Sequence, residues 1–401
     1  MKILGVNAVY GMSTSTGRSV KEQSEALTKQ GHISCVAYSK GDDDRTNLYK
    51  MDSRFGRKIH ALFSRAFGLQ GYFSTFSTWK FLRFIKKEKF DIVHLHNLHS
   101  NYINIYMLLK FLAKRKIATA VTLHDPFFYT GRCTHYTLVK CYKWQDRCGN
   151  CPRLHRDNKS WFFDFSSKML RDKQKHLSEI EKLAVIGVSD WITNEASKSI
   201  LKDAKIVKRI YNWIDLELFK PTDVSELKEK FGNKFIVLGV SSQWDNSKGL
   251  NYFIELADAL DENMIIVMVG KMPNDQILPD NIIPIPVTKD MHELVKYYNM
   301  ADVFVQLSQE ETFGKVTAEA LACGIPVIVF NKTANPELAP ENCGYILEEP
   351  DIAKLTDKIA EVKAKGKSSF SEHTRQFAYE NFDKETNIAE TIRLYEELLE
   401  A

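Results

Sequence analysis

Glu311 and Glu319 are the most suggestive pair of side chains in the sequence. They lie in Glu310-Glu311-Thr312-Phe313-Gly314-Lys315-Val316-Thr317-Ala318-Glu319-Ala320. An apolar strand is predicted over 303–307, a helix from about 313 to Gly324, and a further strand opened by Pro326. Eight helical residues span roughly 12 Å, and a helix N-terminus offers free amides and about half a positive charge. Two carboxylates at that spacing suit a ligand with a sugar at one end, a ribose at the other and a diphosphate between. A surface helix with two unrelated acids would be written with the same letters.

Lys248 follows a strand predicted over 235–240, in Ser241-Ser242-Gln243-Trp244-Asp245-Asn246-Ser247-Lys248-Gly249. A compact ammonium there could offset the charge of a departing diphosphate, or could be a solvated lysine at a helix start. Gly17 and Arg18 close a polar loop over 11–18, after a first strand over 2–9 and before a helix over 19–30. Such a loop brings backbone amides close to a phosphate, although the full G-x-G-x-x-G pattern is missing. Histidines gather at strand ends. His94 and His96 alternate on one strand with His99 just beyond it, and His124-Asp125 ends another over 118–123. His94 and His96 could be core residues or metal ligands, and the core is the favoured reading for His94.

Cys133, Cys141, Cys148 and Cys151 fall within nineteen residues, and Cys148-Gly149-Asn150-Cys151 forms a C-x-x-C knuckle. That is the currency of a tetrahedral structural zinc, with His135 as a substitute ligand. Buried free thiols or a disulfide are the alternatives. Residues 53–87 carry Arg54, Arg57, Lys58, Arg65, Lys80, Arg83, Lys86 and Lys87 and no acid, interleaved with aromatic and aliphatic side chains. This composition suits an anionic membrane surface, or amphipathic helices packed on a sheet.

The 401 residues predict two domains, and 44% hydrophobic with 26% charged content is ordinary for a soluble globular chain. No apolar run is long enough to span a bilayer. The sequence enters a strand at once without the pattern of a signal peptide, and seven cysteines are an odd number. Both features predict a cytoplasmic protein without a disulfide framework. The net charge of +4 conceals a division: residues 1–200 hold 33 Lys+Arg against 17 Asp+Glu, and residues 201–401 hold 22 against 34. Strands and helices alternate in both halves, with further strands over 33–38, 91–96, 183–188, 264–269, 282–287 and 326–330. An α/β fold with parallel sheets covered on both faces follows.

The segment from Glu311 to Val327 resembles the E-x7-E signature of the retaining glycosyltransferases of family 4. The flanking Phe313-Gly314 and Cys323-Gly324-Ile325-Pro326-Val327 carry the likeness. Asn212-Trp213-Ile214-Asp215, then Phe219-Lys220-Pro221, resembles the family's inter-domain motif, with Trp213 where glycine is usual. His124-Asp125, Thr130-Gly131-Arg132-Cys133, Cys141 and Cys148-Gly149-Asn150-Cys151-Pro152 are similar to a subset of capsule and colanic-acid type transferases.

The resemblance implies the GT-B architecture, two Rossmann-like domains with parallel sheets facing across a cleft. Residues 1–210 would form an acceptor domain with a Cys-rich insertion over about 130–155, and 211–383 the donor domain. A final helix over 384–401 would cross back to the first. His124, Glu311 and Lys248 become the expected catalytic residues. Gly17, Arg18, Ser242, Lys248, Val287, Phe313, Gly314, Lys315 and Glu319 become the expected donor-binding set, Ser242 standing where many members carry arginine. The expected partners are a UDP- or GDP-sugar and a glycan or lipid-linked glycan acceptor, with no nucleic acid and no metal needed for the chemistry. A nucleotide-sugar epimerase on the same fold and a zinc-stabilised nucleic-acid binder are the readings from other classes.

Overall fold

The computed structural model describes residues 1–41, 47–288 and 290–401. The chain divides into two units. One comprises Met1–Ile210 with Ile388–Ala401, and the other comprises Tyr211–Asn387.

The first unit is built on a parallel sheet with the strand order Leu48–Lys50, Ile33–Tyr38, Lys2–Val6, Ile92–Leu95, Ala118–Leu123, Leu183–Gly187, Ile206–Arg209. Every residue of Ile92–Leu95, Ala118–Leu123 and Leu183–Gly187 is buried. Apart from His94, Thr119 and Thr122, these strands are apolar, because helices cover both faces of a parallel sheet. The helix Lys384–Glu400 ends in this unit, where Leu394, Tyr395 and Leu398 are almost fully buried.

The second unit holds a parallel sheet in the order Ile282–Ile285, Met264–Lys271, Phe235–Gln243, Val303–Gln306, Val327–Phe330, Gly344–Leu347. Its core joins Val237, Ile266, Val303, Val305 and Ile328 of the sheet to Phe253, Leu256, Leu355 and Ile359 of the covering helices.

Two local expectations need correction. The first helix runs Ser15–Lys29 and not from Ser19, because Thr14 caps it by accepting from the Gly17 amide. Gly17 and Arg18 therefore lie in the helix's first turn. The Glu319 helix begins at Lys315, with Gly314 at its cap, so Phe313 lies outside it. Trp213 needs no glycine-like backbone. It is absent from the residues with positive φ and is itself buried, and Ile214 next to it bridges to Asp383.

Candidate active site

In the second unit the site is assembled at the carboxyl ends of adjacent strands, where open α/β sheets collect ligands. Phe235–Gln243 and Val303–Gln306 pair directly, so the loops that follow them are neighbours. Gln309 donates its amide to the Ser247 carbonyl at 3.0 Å and ties one loop to the other. Asp245 accepts from the amides of Ser247 and Lys248 at 2.8 and 3.1 Å, closing the turn Asn246–Lys248. Gly249 then takes φ +84°, and a Cβ there would sit 2.6 Å from the Leu307 carbonyl oxygen. That close approach holds Lys248 against the neighbouring loop, and its Nζ donates to Glu311 Oε1 at 2.6 Å.

Burial alone would lower the Lys248 pKa, but the Glu311 carboxylate, its hydrogen bond and Asp245 outweigh it and raise it. The ammonium is therefore fixed as a cation. Glu311 is positioned by a third loop. Its amide donates to Thr333 Oγ1 at 2.8 Å, its carbonyl accepts from Ala334, and Asn335 Nδ2 donates to the Ser308 carbonyl. Glu319 is buried on its helix and accepts from Tyr298 Oη at 2.9 Å. Sequence reading missed Tyr298, Thr333 and Asn335. They come from distant segments and carry no motif of their own.

The remaining expected donor residues are more dispersed. Ser242 is exposed where the strand's register shifts between Val240 and Gln243. Val287 is 62% exposed beyond Ile282–Ile285, the edge strand two places from that of Lys248. The Phe313 ring is buried edge-on against Phe382 at 5.5 Å, so only its backbone could meet a donor. Lys315 opens the helix that carries Glu319.

In the first unit, His124 follows Ala118–Leu123 and its Nε2 lies 3.1 Å from His96 Nδ1. Asp125 caps the turn Pro126–Phe128 by accepting from Phe127, and His99 Nε2 stands 3.6 Å from its other oxygen. His94 is a core residue. Its two ring nitrogens contact Tyr395 Oη at 2.6 Å and Thr122 Oγ1 at 2.7 Å. Gly17 leaves no room for a side chain, since a Cβ would stand 2.9 Å from the Gly11 carbonyl oxygen. Its amide is already engaged by Thr14 and so is not turned to a phosphate.

Cys133, Cys141, Cys148 and Cys151 line one small cavity with Arg132 and Trp144. Among the described residues, however, no group of three or more His, Cys, Asp or Glu is placed to hold a metal ion. The zinc expected from the spacing is therefore not supported. The Cys133 thiol is engaged with the Cys151 sulfur, a contact that raises the first pKa and lowers the second, while burial pushes Cys148 up to about 11. His135 turns its Nδ1 to Thr134 Oγ1 at 3.2 Å.

The basic aromatic stretch forms two helices, Arg54–Phe67 and Thr75–Glu88. Phe55 is 72% and Phe76 67% exposed, and Leu62, Phe63, Phe67 and Trp79 are exposed with them. A second aromatic segment joins the first helix. The Trp161 amide donates to the Arg65 carbonyl at 2.7 Å, and Trp161, Phe162, Phe163 and Phe165 are exposed. Arg83 stacks over Trp79 at 4.9 Å and Lys80 over Phe76 at 4.5 Å. No helix among the described residues is long and apolar enough to cross a membrane.

Two units, each built on a parallel sheet, are the architecture of the glycosyltransferases of GT-B fold. The sucrose-phosphate synthase of Thermosynechococcus elongatus has a similar fold, with a TM-score of 0.70 at 17% identity over 99% of this chain and 98% of that one. The family model for glycosyltransferase family 4 matches residues 16–218 and that for glycosyl transferases group 1 matches residues 223–381, and the chain belongs to family 4. Among curated relatives, Escherichia coli K12 WcaC, described as a colanic acid biosynthesis glycosyl transferase, is 24% identical over 66% of this chain and 65% of its own. The Escherichia coli UDP-Gal:alpha-D-GlcNAc-diphosphoundecaprenol alpha-1,3-galactosyltransferase is 25% identical over 70% of this chain and 68% of its own. The protein is an enzyme of the hexosyltransferase type that builds glycans.

Proposed function

We propose that this enzyme moves a sugar from a nucleotide sugar, UDP- or GDP-linked, to a hydroxyl of a lipid-linked surface polysaccharide, with retention at the anomeric carbon. The observation that carries this reading is the 2.6 Å Lys248–Glu311 pair at the strand ends. The Glu311 carboxylate holds the Lys248 ammonium charged in a half-buried place, where a lone charge would be costly. Glu311 accepts from the donor sugar's hydroxyls, and Lys248 faces the diphosphate. Glu319 holds the ribose diol, with Tyr298 orienting its carboxylate. Ser242, Gly314, Lys315 and the Phe313 backbone line the donor's path, and Val287 stands at its margin; for Gly17 and Arg18 the donor role rests on the family resemblance alone. His124 faces the transferring sugar.

In the transfer, the bond from the anomeric carbon to the leaving phosphate oxygen breaks on the face where the acceptor oxygen attaches. The acceptor's proton passes to that phosphate oxygen, and the nucleoside diphosphate departs. Lys248 and the amides at the Glu319 helix stabilise its charge as it forms. Support for the lipid-linked acceptor comes from the name of the galactosyltransferase relative, which acts on a diphosphoundecaprenol-linked sugar, and from the exposed basic aromatic surface of residues 53–87 and 161–165, which suits the face of an anionic bilayer.

The test uses UDP- and GDP-hexoses with a prenyl-diphosphate-linked glycan, and reads the product's anomeric configuration by NMR. Transfer with retention is expected. Glu311→Gln and Lys248→Ala should lower kcat by roughly 10²–10³-fold. Glu319→Gln keeps an acceptor for Tyr298 and should weaken nucleoside diphosphate binding by roughly 1.5–3 kcal/mol in calorimetry. An inverted product, or an epimerised donor formed without acceptor, overturns the proposal. Unchanged nucleotide affinity in the Glu319 variant removes that residue from the site.

A further inference from the structure

His94 and His96 lie two residues apart on one extended segment with ring centroids 4.1 Å apart, yet their hydrogen bonds set opposite tautomers. Gln23 Nε2 donates to Tyr395 Oη at 2.9 Å, which leaves the tyrosine's own O–H for His94 Nδ1 at 2.6 Å. His94 Nε2 then carries the ring proton and donates it to Thr122 Oγ1 at 2.7 Å. His96 contacts His124 Nε2 through Nδ1 at 3.1 Å, while its own Nε2 is buried without a hydrogen-bond partner. Burial, reinforced by His94 and His124, keeps the His96 ring uncharged, so it has one N–H to place.

On Nε2 that proton would be a buried donor with nothing to receive it. On Nδ1 it is donated to His124, and only a lone pair goes unpaired. Orphaned buried N–H groups are the rarer and costlier case. The nitrogen a histidine protonates is set by the bond its other nitrogen makes.

We propose that His96 is a positioning residue: its Nδ1–H, donated to His124 Nε2, holds His124 in the tautomer that carries its proton on Nδ1. The functional meaning rests on the reading that His124 faces the transferring sugar. In that role His124 acts as a hydrogen-bond donor through Nδ1. Its Nε2 lone pair is engaged and cannot take the acceptor's proton, which agrees with proton transfer to the leaving phosphate.

The test is a long-range proton–nitrogen NMR correlation on the full chain labelled with 15N-histidine, assigned by single-histidine variants. The expected spectrum has the proton on Nε2 of His94 and on Nδ1 of both His96 and His124, so His94 is an internal contrast. A native His124 protonated on Nε2 overturns the proposal, and this readout needs no variant to be active. His96→Asn retains a donor near the position of Nδ1 and should keep the His124 signature and most of kcat. His96→Leu should mix the His124 tautomers and lower kcat on the order of tenfold, with donor KM little changed. A Leu variant with the native His124 signature overturns the assignment. A fully active His124→Ala enzyme removes the role in transfer, while the native spectrum decides the hydrogen bond separately.

Discussion

Buried imidazoles set the acid limit of the first unit. Burial pushes the His60 pKa down to about 4 and the His94 pKa down to about 3, and holds His96 well below its ordinary value. The folded state therefore binds fewer protons than the unfolded chain below pH 6.5. The stability these residues contribute is complete above about pH 6.5 and is lost as pH falls from there toward the folded values. At pH 5 each imidazole opposes folding by roughly 2 kcal/mol relative to pH 7.5. Thermal unfolding should show a marked drop in Tm between pH 7.5 and 5, and His60→Gln should make that drop smaller. An unchanged slope in the variant would show that His60 titrates freely in the folded protein. That Glu311 and Lys248 come together at neighbouring strand ends was legible in the sequence, because each lies in a local signature beside a strand end. Tyr298 and Thr333 were not, since strand order and not spacing brings them to Glu319 and Glu311. The cysteine spacing was legible as a cluster, and its reading as a metal site is not supported, because spacing does not show which thiols engage one another.

Elements position the site through tight junctions. Gly249→Ala puts a Cβ at φ +84° against the Leu307 backbone, combining left-handed strain with a clash that rigid backbone cannot relieve. We expect a loss of roughly 2–3 kcal/mol in chemical denaturation and a fall in transfer larger than that of any exposed substitution, because Lys248 is displaced from Glu311. Native stability with native kcat in this variant would mean that the junction does not set the lysine. Central strands such as Ala118–Leu123 were legible to the residue, since a strand buried on both faces is a run of apolar and β-branched residues without a charge. The edge strands Leu48–Lys50, Ile206–Arg209 and Gly344–Leu347 were not, being short and partly exposed. The early start of Ser15–Lys29 was hidden by a run of Ser and Thr that offered several caps, and by reading Gly17 as a loop glycine.

For the molecule as a whole, the exposed aromatic surface predicts behaviour toward membranes. The protein should sediment with vesicles containing phosphatidylglycerol and not with phosphatidylcholine alone. Each basic residue near an anionic surface contributes about 1 kcal/mol, an attraction that fades with salt. Reversing Arg83, Lys86 and Lys87 to Glu, or replacing Phe162 with Ser, should release it. Hydrolysis of soluble donor should be unaffected. Wild-type protein that never sediments, or reversed protein that still does, would mark the surface as one for another partner. The two-unit character was legible from length and alternation. That Tyr395 completes the His94 network was not, because 301 residues of sequence separate the two.

The return of residues 388–401 to the first unit also bears on how the protein is made. A chain emerges from the ribosome in order, and domains ordinarily fold as they appear, at about 5–20 residues per second. Here the first sheet emerges early, but Leu394, Tyr395 and Leu398, which fill its core, follow only after residues 211–387. That interval lasts roughly 10–35 s at those speeds. The second unit can therefore finish folding before the first, and nascent residues 1–210 wait with an apolar seam uncovered, within reach of a chaperone.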